Sequence, residues 1–330
     1  MGKQVKVTAK APANIAFIKY WGKQNEKLRI PENGSISMCL DKVFTITTVE
    51  FSPKLREDSF VLLDEETSEK EELRVYGHLD RIRNLAGIKD RARVISKNNF
   101  PRSTGLSSSA SGLAALTLAA SLAAGLNLKE KELSRLARVA SGSACRSIPS
   151  GFVEWRKGKD DETSYAYSLY PASYWQVYDV IAVVSREKKE VSTTEGQALA
   201  KTSPFLSSRL GEMSAKIKAI KKFLKARDFF NFGLLSEQEA LNMHAVMITS
   251  SPPLLYWTPE TLRLMRLILK WRREGLEVYF TINTGQDCHI LTLKNNLEKI
   301  RLKLKGLDFV KKVIINKPAA GARMINKHLF

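Results

Sequence analysis

A loop of small residues runs into an alanine-rich helix near residue 112, and this junction limits the folds open to the chain. The loop covers residues 100–112, and the helix is predicted over residues 113–124. Gly105 and Gly112 permit backbone angles that larger residues avoid, and the free amides of a first helical turn favour an anion. The loop also carries three hydroxyls, those of Ser107, Ser108 and Ser109. The junction predicts a site for phosphate, with Ser108 as the candidate Mg²⁺ ligand, while a serine-rich cap on a core helix is the alternative.

The composition is typical of a globular chain. Hydrophobic residues make up 44% and charged residues 26% of the 330 residues, which is enough for one large or two medium domains. The longest apolar stretches fall short of the ~20 residues that a membrane span requires. Residues 1–7 alternate like a strand and lack the apolar core of a signal peptide. We therefore expect a cytoplasmic protein.

The cysteines and histidines do not show the spacing of a metal site. The cysteines are odd in number, far apart and without a Cys-x-x-Cys pair, which also argues against a disulfide framework. We expect them to be small buried residues. The residues concerned are Cys39, Cys145 and Cys288, with His78, His244, His289 and His328.

The net charge of +19 has two interpretations. The excess of lysine and arginine could form a patch for nucleic acid or a membrane, or it could accompany an anionic small substrate. Much of it lies on predicted surface helices, at residues 216–222 and 300–305, which favours solvated helix faces. No zinc finger or RNA-recognition signature is present, so a basic RNA-binding protein is an alternative and no nucleic-acid partner is expected.

Helices and strands alternate in an order that predicts an α+β fold in two halves with no internal repeat. In the first half an acidic loop is predicted at residues 64–72, and the helices at residues 113–124 and 130–140 should form a hairpin. The predicted strands are residues 5–9, 44–51, 60–63, 91–96, 180–184, 277–282, 288–293 and 310–315, and the other helices are residues 73–86, 205–227, 229–246, 259–274 and 297–305. We place the boundary between the halves at residue 186.

Two cations stand in unusual surroundings. Lys19 lies inside an apolar run, residues 14–23, where a charge needs an anionic partner or a shifted pKa. Arg146 lies among glycines and serines in residues 141–155, a stretch with room for a ligand. Its planar fork matches a carboxylate or a phosphate. A site role is favoured for Lys19, whereas a glycine and serine turn with an exposed arginine is the alternative for Arg146.

Residues 14–23, 101–112 and 141–155 together resemble the diphosphomevalonate decarboxylase family, including its phosphomevalonate decarboxylase-like branch, within the GHMP kinase superfamily. Weaker similarity at residues 243–245 and 279–281 extends the resemblance over essentially the whole chain. The resemblance implies a GHMP kinase fold, with a ribosomal-S5-like, nucleotide-binding N-terminal domain over residues 1–186 and a ferredoxin-like C-terminal domain over residues 187–330. It also implies an active-site cleft between the domains and a homodimer.

The reaction implied by the resemblance uses ATP and Mg²⁺. ATP phosphorylates the 3-hydroxyl of mevalonate 5-diphosphate, or of mevalonate 5-phosphate, and loss of this phosphate with CO₂ gives isopentenyl diphosphate or isopentenyl phosphate. By matching position, Lys19 would lie beside the reacting 3-oxygen. The substrate's carboxylate and phosphates would contact Tyr20, Lys23, Ser141, Ser143 and Arg146, and the ATP phosphates would contact Gly105, Leu106, Ser107, Ser108 and Ser109.

One position departs from the family's pattern. An aspartate that the family places after a Tyr-Phe-Thr-like strand is Asn283 here. An amide can orient a hydroxyl but cannot act as a general base near neutral pH. Asp287 could reach the same space, or Lys19 could accept the proton if its pKa is depressed. Otherwise the kinase step is lost, and the chain is an ATP-independent decarboxylase of mevalonate 3,5-bisphosphate. A GHMP-type small-molecule kinase is a further alternative.

Overall fold

A computed structural model describes residues 6–100, 108–185, 187 and 190–330. The strands are β1 (Lys6–Ile18), β2 (Lys23–Asn25), β3 (Ile30–Pro31), β4 (Ser35–Ser52), β5 (Ser59–Leu62), β6 (Arg91–Asn98), β7 (Phe152–Trp155), β8 (Ala166–Tyr170), β9 (Tyr178–Val183), β10 (Val278–Thr281), β11 (Cys288–Thr292), β12 (Lys312–Asn316) and β13 (Arg323–Ile325). The helices are α1 (Glu69–Ala86), α2 (Ser108–Ala123), α3 (Glu130–Ala140), α4 (Thr193–Ala198), α5 (Leu206–Ala226), α6 (Phe229–Ile248), α7 (Pro259–Arg273) and α8 (Lys294–Lys305). Short 3₁₀ turns cover Gly142–Ser147 and Leu199–Thr202.

The first half is built on a large, mainly antiparallel sheet. Its strands follow the order β13-β1-β4-β6-β5, and β7 and β8 extend it from β4. Alanines of β1 and α2, among them Ala9, Ala11, Ala115 and Ala119, are buried between the sheet and its helices. Because alanine has a small side chain, α2 can lie close to the sheet. The predicted helical hairpin is confirmed by α2 and α3.

The second half is built on an antiparallel sheet of four strands, in the order β10-β11-β9-β12, within the described ranges. One face of this sheet packs on α7 and α8 around Leu264, Ile268 and Ile300. The other face carries Ile181, Tyr279 and Leu291, which share a core with β1, α5 and α6. This shared core joins the two halves behind β1. β9 belongs to the second sheet although it precedes residue 186, and the domain boundary itself stays a prediction.

Two helices begin earlier than predicted. α2 begins at Ser108, so the assignment of Ser108 and Ser109 to a loop is wrong, as is the expectation of an unusual backbone at Gly112. A Cβ at Gly112 would have no neighbour within 4 Å, so small residues simply continue the helix there. α1 begins at Glu69, inside the predicted acidic loop, where acidic side chains suit a helix N-terminus.

The remaining features concern the cysteines and the membrane. All three cysteines are buried and free, as predicted. No cluster of three potential metal-ligating side chains occurs among the described residues. None of the helices in the described part of the chain combines the length and the apolar composition that crossing a membrane requires.

Candidate active site

A cleft of about 640 Å³ lies between the two halves. Its floor is the segment that follows β1, and its walls come from the 3₁₀ turn Gly142–Ser147, the start of α2, α4 and the segment after β10. The cleft brings together most of the site residues predicted from the sequence. These are Lys19, Tyr20, Lys23, Ser108, Ser109, Ser141, Ser143, Arg146 and Asn283.

Lys19 places a buried amine in this cleft. It follows the last residue of β1 and is only 2% exposed. Its Nζ donates a hydrogen bond to Asn283 Oδ1 at 2.9 Å. Burial, and then the nearby charge of Arg146, hold the pKa of Lys19 well below its usual value. Lys19 therefore gives up its proton more readily than a solvent-exposed lysine does.

Arg146 is a buried cation whose protein partners are neutral. It is 5% exposed, and its guanidinium donates from Nε to Asn14 Oδ1 at 3.0 Å and from Nη1 to Ser35 Oγ at 2.9 Å. Within the described residues no carboxylate forms an ion pair with Arg146 or Lys19. Burying a cation without a counter-charge is costly. The unpaired guanidinium of Arg146, beside an amine at Lys19 that can take up a proton, indicates a site built for an anion.

Asn14 holds this arrangement together, and the sequence did not single it out for a role. Its side-chain amide donates to Ser147 Oγ at 2.8 Å and to the Ser143 carbonyl at 3.2 Å, while its oxygen accepts from Arg146. Asn14 thus fixes the 3₁₀ turn relative to β1. The sequence feature that could have indicated this role is the position of Asn14, five residues before Lys19 in the same predicted run.

The start of the 3₁₀ turn packs against Tyr20. A Cβ at Gly142 would lie 2.7 Å from Tyr20 Oη and 3.2 Å from the Trp155 ring, so only glycine fits without displacement. The Tyr20 ring also meets Trp155 edge-on, with 4.7 Å between the centroids. Burial raises the pKa of Tyr20, which keeps its hydroxyl protonated. The flanking serines therefore face the cleft from a fixed backbone.

Asn283 is held by Lys19 through its side chain and by His244 through its backbone carbonyl. His244 Nε2 donates to the Asn283 carbonyl at 3.0 Å, and the His244 ring stacks on Trp257 with 4.5 Å between centroids. Burial lowers the pKa of His244 to about 3, so the ring is neutral and its Nε2 carries the donated proton. His244 is thus a hydrogen-bonded helix residue, as the sequence indicated, and it also fixes the segment that carries Asn283.

Asp287 does not line the cleft with the other predicted residues. Its side chain is buried, and Oδ1 accepts a hydrogen bond from the Val184 amide at 3.0 Å. Asp287 therefore anchors the turn before β11 to the end of β9. This contact does not support the hypothesis that Asp287 reaches the space beside Asn283.

The first turn of α2 reaches the cleft through Ser108 and Ser109. A side recess of about 80 Å³ opens beside these serines and is lined by apolar side chains such as Phe60 and Leu113 and by polar ones such as Arg74 and Asn98. The predicted phosphate contacts Gly105, Leu106 and Ser107 lie outside the described residues. The arrangement around Ser108 combines helix amides and hydroxyls with an adjacent apolar surface.

Further charged side chains line the outer cleft. Lys23, 3% exposed, pairs with Glu26 at 2.5 Å. Lys70 pairs with Glu195 at 2.5 Å, which connects α1 and α4 across the cleft. Arg29 and Arg74 also line it, and neither position stood out in the sequence because each lies in an ordinary polar stretch.

Family models match both halves of the chain. Residues 11–166 match a diphosphomevalonate decarboxylase-like N-terminal domain, and residues 179–319 match a mevalonate 5-diphosphate decarboxylase C-terminal domain. The fold is thus α+β of the GHMP kinase type, as expected from the sequence. The chain belongs to the diphosphomevalonate decarboxylase family.

Individual relatives agree with this assignment. The chain is 34% identical over 318 residues to a diphosphomevalonate decarboxylase of Ganoderma lucidum, covering 89% of this chain and 80% of the relative. It is 32% identical over 297 residues to a phosphomevalonate decarboxylase of Haloferax volcanii, covering 90% of this chain and 91% of the relative. A solved structure described as "MDDEF in complex with MVAPP, AMPPCP and Magnesium" has a TM-score of 0.92 and 37% identity, covering 98% of this chain and 100% of that one.

Proposed function

We propose that this protein is a carboxy-lyase that decarboxylates mevalonate 5-diphosphate or mevalonate 5-phosphate in an ATP-dependent reaction of isoprenoid biosynthesis. The observation that carries the proposal is the buried guanidinium of Arg146 beside the buried amine of Lys19, both of which line the cleft without carboxylate partners among the described residues. Family membership supplies the reaction class, since named relatives act on the diphosphate or on the monophosphate by their descriptions.

The substrate's charges match the cleft. Its carboxylate and phosphate groups would contact Arg146, Tyr20 and Lys23, together with the hydroxyls of Ser141 and Ser143. Arg146 is already oriented by Asn14 and Ser35, so little ordering is needed when an anion binds. Lys23 would exchange its exposed partner Glu26 for the substrate.

Lys19 would accept the proton of the 3-hydroxyl during phosphoryl transfer. A lysine amine with a lowered pKa can donate one N–H to Asn283 and still offer a lone pair. The hydroxyl oxygen then bonds to the γ-phosphorus of ATP, the bond between the β- and γ-phosphoryl groups breaks, and ADP leaves. Asn283 would orient Lys19, because an amide cannot itself take the proton.

The protonated Lys19 then serves the second step. The bond between C1 and C2 breaks, its electron pair forms the C2–C3 double bond, and the new phosphate departs from C3 with its oxygen. The Lys19 ammonium and the Arg146 guanidinium would stabilise negative charge on the departing phosphate. Both are buried, so water screens this stabilisation little.

The start of α2 fits a nucleotide triphosphate. The amides and hydroxyls of Ser108 and Ser109 suit phosphate oxygens, and the recess beside them offers a base both apolar and polar contacts. Gly105, Leu106 and Ser107 complete the proposed phosphate contacts. Mg²⁺ bound to the phosphates would neutralise their charge, and Ser108 is the hydroxyl proposed to contact it.

The test is release of CO₂ from C1-labelled mevalonate 5-phosphate and 5-diphosphate, each with and without Mg-ATP. The proposal predicts release only with Mg-ATP, and the better substrate decides between mono- and diphosphate. Release from neither compound by the folded protein would contradict it.

Asn283 keeps one alternative open, because a reaction that starts from mevalonate 3,5-bisphosphate needs no proton acceptor at the 3-oxygen. That compound would then release CO₂ without ATP.

We further propose that the protein is a cytoplasmic homodimer without a nucleic-acid partner, and that its domains meet at residue 186. Light scattering at physiological salt, with and without added RNA, tests the assembly.

A further inference from the structure

A buried ion pair lies directly behind Lys19. Arg209 of α5 and Glu239 of α6 are both inaccessible to solvent, and Arg209 Nη1 donates to Glu239 Oε1 and to Asn242 Oδ1. Neither residue lines the cleft, so neither belongs to the proposed substrate contacts. A buried pair of this kind is weak evidence for a role in stability, since apolar residues can often replace it without loss.

The pair is connected to the backbone of Lys19. Arg209 Nη2 donates to the Lys19 carbonyl at 2.9 Å, and Asn33 Nδ2 donates to the same oxygen at 2.8 Å. Both lone pairs of this carbonyl are therefore occupied. The donors come from opposite halves of the protein, so the Lys19 backbone is fixed between α5 and the segment before β4.

The pair also sets part of the electrostatic field at Lys19. Glu239 and Asp179 raise the pKa of Lys19, whereas burial, Arg146 and Arg209 lower it. Asp179 is itself engaged with His289 Nδ1 at 3.0 Å. The charged and titratable groups that face Lys19 are Arg146 from the 3₁₀ turn, Arg209 from α5, Glu239 and His244 from α6, Asp179 from β9 and Cys288 from β11.

We propose that Arg209 and Glu239 are positioning residues for Lys19: Arg209 fixes its backbone at the cleft floor, and Glu239 both holds Arg209 and supplies the opposing negative charge. This inference rests on the proposed function for its catalytic meaning, since it makes the pair one contributor to the protonation state of the proposed proton acceptor. The two roles are separable. Removing Glu239 alone takes away a negative charge near Lys19. Removing Glu239 and Arg209 together takes away one charge of each sign, so the net charge near Lys19 stays the same, but the hydrogen bond to the Lys19 carbonyl is lost.

The test combines two readouts on the full chain. Cyanate carbamoylates only the neutral amine, so the pH dependence of Lys19 labelling, followed by peptide mass spectrometry, reports its protonation without any substrate. The pH profile of kcat for CO₂ release reports the same group during turnover. Glu239→Gln should move both midpoints to lower pH by roughly half a unit or more, because the negative charge that favours the ammonium is gone.

The double variant Arg209→Gln with Glu239→Gln should return the labelling midpoint to near the wild-type value while kcat falls about tenfold or more and KM changes little. The control is Arg272→Gln with Glu237→Gln, an ion pair that joins α7 to α6, with Arg272 Nη2 to Glu237 Oε1 at 2.8 Å and no contact with Lys19. It should leave both midpoints unchanged. Where Glu239→Gln alone does not fold, the double variant carries the test through the loss of kcat.

The proposal is overturned if folded Glu239→Gln keeps the wild-type labelling midpoint, or if the control pair reduces kcat as much as the double variant. If the wild-type protein releases no CO₂ from any mevalonate phosphate, the proposed function fails. The labelling midpoints would still decide whether Glu239 sets the protonation of Lys19.

Discussion

Replacing Arg146 with methionine should separate activity from stability. The guanidinium is buried and its partners, Asn14 and Ser35, are both neutral. If Arg146 stabilises charge on the substrate in the transition state, its loss should lower kcat by about 10²–10³, or about 3–4 kcal/mol, as for other preorganised donors.

The free energy of unfolding should respond differently. Methionine removes two hydrogen bonds to a charged donor, about 1.5–3 kcal/mol each. It also removes the cost of burying an uncompensated cation, which is several kcal/mol. The terms nearly cancel, so we expect the stability to stay within about 1 kcal/mol of the wild-type value or to increase.

A matched control is available in Arg138, which is also buried but is paired with Asp161 and donates to the Leu28 carbonyl at 3.0 Å. Arg138→Met should cost about 2–5 kcal/mol, because it leaves the Leu28 and Ser164 carbonyls without their donor, whereas the half-exposed Asp161 can turn to water. Urea unfolding and CO₂ release would be measured on all three proteins. Wild-type kcat in Arg146→Met, or destabilisation equal to that of Arg138→Met, would refute the assignment of Arg146 to an anion site.

Three further predictions concern the site and the core of the first half. Gly142→Ala should raise KM and destabilise the protein by about 1–3 kcal/mol in urea unfolding, because its Cβ would lie 2.7 Å from Tyr20 Oη. The control is Gly211→Ala, which should not destabilise the protein because a Cβ there meets nothing within 4 Å. Asn283→Asp should move the kcat midpoint to higher pH by about one unit, since a carboxylate beside Lys19 favours the ammonium; an unchanged midpoint would contradict the role of Lys19 as proton acceptor. Burial lowers the pKa of His78 to about 3 in the folded state. The free energy of unfolding should therefore be highest above about pH 6.5 and fall by about 1.4 kcal/mol per pH unit toward pH 3. His78→Gln should flatten this pH dependence in denaturant titrations at pH 4–7, and an unaltered slope would contradict the prediction.

The sequence predicted the cleft residues best where a residue type conflicts with its surroundings. Lys19 in an apolar run and Arg146 among small residues are conspicuous because each needs an anion or an altered pKa. The hairpin of α2 and α3 was predicted because residues 125–127 end a long run of alanine and leucine, and a second helical run begins at Glu130.

Other features depend on tertiary contacts and could not be read from local patterns. Arg209 and Glu239 lie on helices, where charged residues are ordinarily solvated, and only the packing of α5 against α6 brings them behind Lys19. The start of α2 was misplaced because serine is favoured both in caps and in loops. Asp287 lies near Asn283 in sequence, yet the turn before β11 directs it toward Val184 instead.

The central claim, that phosphorylation at the 3-oxygen precedes loss of CO₂, can be tested with one isotope experiment. Substrate carrying ¹⁸O in the 3-hydroxyl is turned over with unlabelled Mg-ATP, and the released inorganic phosphate is analysed by mass spectrometry. The account predicts one ¹⁸O atom in each phosphate released, because the oxygen bonded to C3 leaves with the transferred phosphoryl group. Unlabelled phosphate accompanying CO₂ release would contradict it.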